Sequence, residues 1–183
     1  MILQTHKQTV GAMEKGTIEK SVVLLLGSND EAAAEIIARA LEMISLAVGR
    51  RVRTSAEYRS EAFGFSSERE FINRATEIMT TCDAYEVLRR INLIEALLGR
   101  DRDEEMRIKS AKGEAYASRP IDIDIIFYGS DAFADERLTI PYHFLAERGY
   151  ALRPVAEVVP HFAHPALGMT TAEMLEALEN KVN

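Results

Sequence analysis

A single cysteine, Cys82, stands among the 183 residues, so no disulfide forms within the chain and a reducing compartment is expected. No neighbouring residue suggests activation of that thiol, which reads as a small apolar residue in or near the core. Long hydrophobic runs are missing too. Nothing reaches bilayer-spanning length, and the opening stretch MILQTHKQTVGAMEKGTIEK lacks the apolar run of a secretory signal, so a cytoplasmic protein without a membrane partner is expected. Positive charge is in deficit: 22 Lys and Arg against 29 Asp and Glu leave a net charge of −7. That balance argues against broad nucleic-acid binding, which needs a basic face. It leaves room for a local basic pocket that takes a phosphorylated small molecule. There is no internal repeat, low-complexity tract or dividing linker, and 47% of the residues are hydrophobic, enough for one domain with a substantial core. Residues 1–20 are weakly patterned and read as a flexible extension of a domain spanning 21–183.

What is present is a clear succession of elements. SVVLLLG (21–27) is a short buried strand closed by glycine. Residues 28–48 carry apolar positions at helical spacing, with Ser28, Asn29 or Asp30 as the cap. Strands are expected over 51–60 and 71–81, and a helix over 83–99, capped by Asp83 and stopped by Gly99. Residues 100–118 read as a highly charged loop whose acids, 101–105, form a solvated face. Strands over 120–128 and 136–141 follow, then short helices over 143–148 and 150–158 and a capped helix over 170–180. The order β-α-β-β-α-β predicts an α+β fold, ferredoxin-like, with a mostly antiparallel sheet and C-terminal additions.

One of these strands carries two acids. In RPIDIDIIFYG (119–129), strand alternation puts Asp122, Asp124 and Ile126 on one face and Ile121, Ile123, Ile125 and Phe127 on the other. Paired carboxylates repel unless a cation offsets them. A small set of oxygen ligands suits magnesium, and two such ions clamp the oxygens of a phosphoryl transfer. The competing reading is an amphipathic strand whose acids face solvent. Arg100, Arg102 and Arg119 nearby favour the first, because guanidinium groups grip phosphate through paired donors. Acids for cations beside arginines for anions are what a nucleotide triphosphate site needs.

These stretches, with LGSN (26–29), YRSEAFG (58–64), FINRA (71–75), IEALLGRDR (94–102), ERLTIP (136–141) and RGYALRPVAEVVP (148–160), resemble the hydroxymethyl-dihydropterin pyrophosphokinases of folate biosynthesis. The resemblance implies a three-layer αβα fold of ferredoxin-like type and transfer of pyrophosphate from ATP to a reduced pterin, with release of AMP. It implies that Asp122 and Asp124 bind magnesium and that Arg119 and Arg100 serve the phosphates. Glu95, Arg102, Ile125, Arg137, Thr139, His143 and Arg148 fall at its nucleotide positions. Ser60, Phe63, Phe71, Asn73 and Tyr150 fall at its pterin positions, Phe71 and Tyr150 as the aromatics that sandwich the ring. Spacing supports part of this independently: Phe71 and Asn73 share a strand face, a ring for stacking beside an amide whose donor and acceptor fit a pterin edge. Core packing for Phe71 and Tyr150, and cross-strand hydrogen bonding for Asn73, are the plainer alternatives.

Three stretches depart from the family pattern. YAS (116–118) stands where a tryptophan, glycine and proline are usual, Tyr142 takes a histidine's place with His143 one later, and DEAAAE follows GSN in a compressed loop. His161 and His164 are expected to serve a turn and local packing. A divergent relative that binds a pterin or nucleotide but is non-catalytic or weakly active is the second functional reading. A third, an RNA- or protein-binding sheet, conflicts with the acidic balance and with aspartates inside the sheet.

Overall fold

The computed structural model describes residues 18–61, 69–112 and 119–182. Its strands are β1 (Lys20–Ser28), β2 (Arg50–Thr54), β3 (Tyr58–Ser60), β4 (Phe71–Thr80), β5 (Asp122–Tyr128), β6 (Phe133–Ala134) and β7 (Thr139–Ile140). Its helices are α1 (Ala33–Ala47), α2 (Ala84–Leu97), α3 (Arg102–Lys112), α4 (Gly149–Val158) and α5 (Thr171–Val182). The main sheet runs β2–β4–β1–β5 with β3 also on β4, every pair antiparallel, and β6 and β7 form a separate small ribbon.

Successive residues of β1 point to opposite faces and serve two cores. Val22, Leu24 and Leu26 pack with Ile37, Leu41 and Ile44 of α1 and Val87, Ile91 and Ile94 of α2. Val23 and Leu25 pack with Leu152, Val155 and Val158 of α4 and Met174 of α5. Leu24 has no exposed surface, and truncating such a residue to alanine costs about 2–5 kcal/mol. Cys82 packs against the first of these cores.

Several expectations are corrected. Residues 51–60 are two strands, because Ser55 interrupts the edge: its hydroxyl accepts from Ala75 N at 3.0 Å and its carbonyl accepts from the Arg74 guanidinium. Phe127 does not share a face with Ile121, Ile123 and Ile125. The ladder with β1 steps from Val23↔Phe127 to Leu24↔Ile125, leaving Ile126 as an extra residue. The alternation flips there, so Ile126 and Phe127 both face α4 while Tyr128 joins the opposite core. Helix α1 starts at Ala33, and none of Ser28, Asn29 or Asp30 caps it: Ser28 and Asn29 are buried and bonded elsewhere, Asp30 Oδ1 accepts from Ala32 N at 2.9 Å ahead of the helix, and the cap position, Ala32, carries no side-chain cap bond. Residues 102–112 are helix rather than loop. Asp101 Oδ1 accepts from the backbone N–H groups of Asp103 (3.0 Å) and Glu104 (2.9 Å), and acids fill the first turn, where the helix dipole favours them. Only Thr139 and Ile140 of the 136–141 stretch are strand, because Asp135 closes a turn onto Arg137 N and Leu138 N, both at 2.8 Å. The helix expected at 143–148 is a short 3₁₀ turn, Leu145–Glu147. As expected, Asp83 accepts from Glu86 N at 2.8 Å to start α2, and Gly99 adopts φ +96° after it.

Candidate active site

Three strands set the floor of a cavity of about 330 Å³. Cross-strand register stacks their residues in rungs: Glu77–Val23–Phe127, Ala75–Leu25–Asp124, and Asn73–Gly27–Asp122. The side chains in the first rung meet the α4 side of the sheet, and those in the last line the cavity. Gly27 keeps this last rung open. A Cβ there would sit 3.2 Å from Asn73 Oδ1, so only glycine lets Asn73 keep its place.

The mouth of β5 is pinned by the LGSN segment. Ser28 Oγ donates to Pro120 O at 2.6 Å, and Arg119 N donates to Asn29 Oδ1 at 3.3 Å. Asp122 then receives two arginines, Arg100 Nη1 at 2.5 Å and Arg119 Nη1 at 3.0 Å. Asp124, one rung deeper, is not paired in this way. Burial, reinforced by the negative charges of Asp122 and Glu95, pushes its carboxyl up to about 8 against the partial relief of Arg119 and Arg100. The donor set therefore fits a divalent cation: two carboxylates share a face, and one is held protonated for want of positive charge. Among the described residues no cluster of three or more His, Cys, Asp or Glu is placed to hold an ion by itself, so water or substrate oxygens would complete its coordination.

Opposite lies an aromatic and amide wall. Asn73 Nδ2 donates to Ser60 Oγ at 3.0 Å, fixing the amide beside Phe71. Arg148 Nη1 donates to the hydroxyls of Tyr142 (2.7 Å) and Tyr150 (2.9 Å), and its guanidinium carbon lies 4.1 Å from the Phe144 ring centre. Burial and the nearby Asp124 raise the Tyr142 hydroxyl far above its ordinary range, and burial raises that of Tyr150, so both remain protonated donors.

The structure brings eleven of the anticipated residues to this one cavity: Ser60, Phe71, Asn73, Arg100, Arg102, Arg119, Asp122, Asp124, His143, Arg148 and Tyr150. Others sit elsewhere. Glu95 is fully buried behind the wall, where it accepts from Arg100 Nη1 at 2.6 Å, from Ile123 N at 2.7 Å and from Arg102 Nη2. It thus props up two arginines and the peptide between the aspartates. Ile125 points into the α1–α2 core. Arg137 stacks on the Tyr85 ring at 4.3 Å in a separate groove, and Thr139 pairs with Ala134 in the small ribbon. Phe63 lies outside the described residues. The acids of 101–105 are not all solvated, since Glu105 is buried on Arg100 at 2.8 Å. Tyr142 and Phe144 line the cavity although no role was anticipated for them; the aromatic run YHF after Pro141 was the available signal. His164 does the packing work expected of it, edge-on to Phe127.

Known proteins share this framework. A Plasmodium falciparum HPPK-DHPS chain, crystallised as wild type with SDX-DHP, superposes with a TM-score of 0.72 over 90% of this chain and 45% of its own, at 15% identity. That likeness speaks for the fold, and this chain spans less than half of that protein. The 2-amino-4-hydroxy-6-hydroxymethyldihydropteridine pyrophosphokinase of Methylorubrum extorquens is 34% identical over 155 residues, covering 84% of this chain and 90% of that protein. The enzyme of the same name from Synechocystis is 30% identical, covering 86% and 75%. The model of the 7,8-dihydro-6-hydroxymethylpterin-pyrophosphokinase family matches residues 23–160, most of the sheet and all of the cavity's described walls. The chain is therefore a member of the 7,8-dihydro-6-hydroxymethylpterin-pyrophosphokinase family.

Proposed function

We propose that this cavity is where the chain acts as a pyrophosphokinase of folate biosynthesis, joining ATP to 6-hydroxymethyl-7,8-dihydropterin. In this reading the pterin hydroxyl oxygen bonds to the β-phosphorus of ATP and gives up its proton to water, the bond from that phosphorus to the bridging oxygen breaks, and AMP leaves carrying that oxygen. The single observation that carries it is the sharing of one cavity by Asp122, Asp124 and three arginines on one side and Phe71 and Asn73 on the other.

Asp122 and Asp124 would hold magnesium, two ions in this proposal, and the metal's chemistry there is neutralisation of the phosphate oxygens. Arg100, Arg102 and Arg119 bind and orient the triphosphate through paired N–H donors. Glu95 acts through Arg100 and Arg102 rather than by touching nucleotide. Phe71 offers its ring to the pterin face, and Asn73, oriented by Ser60, meets the pterin edge. Tyr150 closes the other side of the ring while Arg148, carried by two tyrosines, faces the same space. Such chemistry rests on positioning and electrostatic preorganisation. The β2/β3–β4–β1–β5 order with helices over both faces supports the ferredoxin-like, three-layer description of the fold, 21–183 forming the domain. We also place the protein in the cytoplasm, in keeping with its single cysteine.

Incubation with ATP, magnesium and the hydroxymethyl-dihydropterin tests the reading directly. Release of AMP in step with pterin consumption is the expected result. Binding of both ligands without AMP would instead identify a non-catalytic relative.

A further inference from the structure

Arg100 is heavily committed among the described residues. Of the five N–H groups a guanidinium carries, four are used here: Nη1 on Glu95 (2.6 Å) and Asp122 (2.5 Å), Nε on Glu105 (2.8 Å) and Nη2 on Glu105 (3.3 Å). The Nε–Nη2 edge is the fork that grips a phosphate through two parallel bonds, and the Glu105 carboxylate already fills it. The partners differ in how firmly they are held. Glu95 is locked from behind by Ile123 N and Arg102, and Asp122 belongs to β5 and also meets Arg119. Glu105 belongs to α3, which among the described residues is only loosely packed on other elements. Apart from half-buried Ile108, its neighbours Asp103, Glu104, Met106, Arg107 and Ser110 are all exposed. A second tether of α3 among the described residues is Arg102 at its first turn, on Glu95 and Asn92.

We propose that the Glu105 carboxylate is a built-in stand-in for a nucleotide phosphate, occupying the fork of Arg100 until ATP displaces it and frees α3 from the cleft wall. The inference rests on the reading above that Arg100 serves the triphosphate. Displacement lowers apparent affinity, because ATP binds only the fraction of molecules in which the fork is open. Removing the carboxylate therefore tightens nucleotide binding, the opposite sign to the loss of an ordinary structural ion pair.

Calorimetric titration with ATP and magnesium, pterin absent, is the test, made on the wild type, Glu105→Gln and Glu104→Gln. Glu104 is one position away, exposed and paired with Arg107, so its variant removes the same charge without touching Arg100. Glu105→Gln is expected to bind ATP about tenfold more tightly than wild type, equivalent to about 1.4 kcal/mol, and Glu104→Gln to match wild type. Equal or weaker binding by Glu105→Gln overturns the proposal. A wild type that binds no ATP overturns the phosphate assignment of the cleft itself, a distinguishable failure. Amide exchange in the unmodified protein gives a second reading: exchange across residues 105–110 should speed up on ATP addition, and unchanged or slower exchange counts against displacement.

Discussion

The two halves of one sheet face could hardly differ more. Towards Val23 and Phe127 it is mostly apolar beneath α4, with Leu152, Val155 and Val158 filling the space and Glu77 of the same rung taken up by Arg53 and Ser21. Two rungs further along the same strands, Asn73, Gly27 and Asp122 open into a charged cavity. The backbone is continuous through both halves, so the difference lies in side chains and in what covers them. The apolar half supplies stability through burial, roughly 25 cal/mol for each Å² removed from water. The polar half spends part of that on desolvated carboxylates, and the Asp124 carboxyl raised to about 8 is the clearest sign of it.

Substitutions at the two ends should therefore fail in different ways. Asp124→Asn is expected to cut AMP formation on the order of 10³-fold with the thermal midpoint nearly unchanged, since Asn resembles the protonated form that burial imposes on Asp124. Asp122→Asn should cut it as deeply but also lower the midpoint, because it gives up the pairs with Arg100 and Arg119. Turnover close to wild type in either variant would remove the metal assignment. At the other end, Phe127→Ala should cost about 3–5 kcal/mol of stability, seen as a lower denaturant midpoint, while the protein that remains folded turns over normally. A catalytic defect in that folded fraction would erase the contrast between the halves.

Smaller effects sharpen the boundary. Phe71→Ala should weaken pterin binding about tenfold with little change in ATP affinity, and equal losses for both ligands would mark Phe71 as a core residue. Gly27→Ala places a methyl 3.2 Å from Asn73 Oδ1. A few-fold weaker pterin affinity with intact ATP binding is expected, and an unaltered pterin affinity would show that Asn73 moves aside freely. The least effect should come from His164 on the apolar side. Burial holds its pKa below the ordinary 6.5, so the unfolded chain takes up a proton first as pH falls. Its contribution to stability is complete above 6.5 and is lost as pH drops from there towards the lowered folded value. A pH series of thermal midpoints should show a slight decline below neutrality that His164→Gln lessens; an identical decline in the variant would exonerate the histidine.

Much of this was legible in the chain itself. The D-x-D pattern within an apolar strand placed Asp122 and Asp124 on one face, because strand alternation is a local rule. Asp83 and Gly99 marked the ends of α2 for the same reason, capping being a matter of neighbouring residues. Phe127 escaped the rule because the bulge at Ile126 depends on how β5 meets β1, which alternation within β5 does not encode. The charged stretch after Arg100 read as loop because its polarity concealed the cap at Asp101 and the good helix formers behind it. Glu95 and Ile125 fall at nucleotide positions of the family pattern; in the fold the Glu95 side chain supports arginines from behind and that of Ile125 packs beneath α1 and α2. Only the fold separates a residue that lines a cavity from one that supports the lining.

Sequence by itself pointed to the acid pair, the arginines, the aromatic–amide pair of β4 and the resemblance to a family, since each is carried by residue type and short-range spacing. Tertiary structure alone decided that Gly27 opens the floor between Asn73 and Asp122, that Glu95 stands behind Arg100, and that Glu105 fills the fork of that arginine. The physical reason is that charges and contacts act through space at a few ångströms, and only the folded backbone brings α2, α3 and β5 within that range of each other.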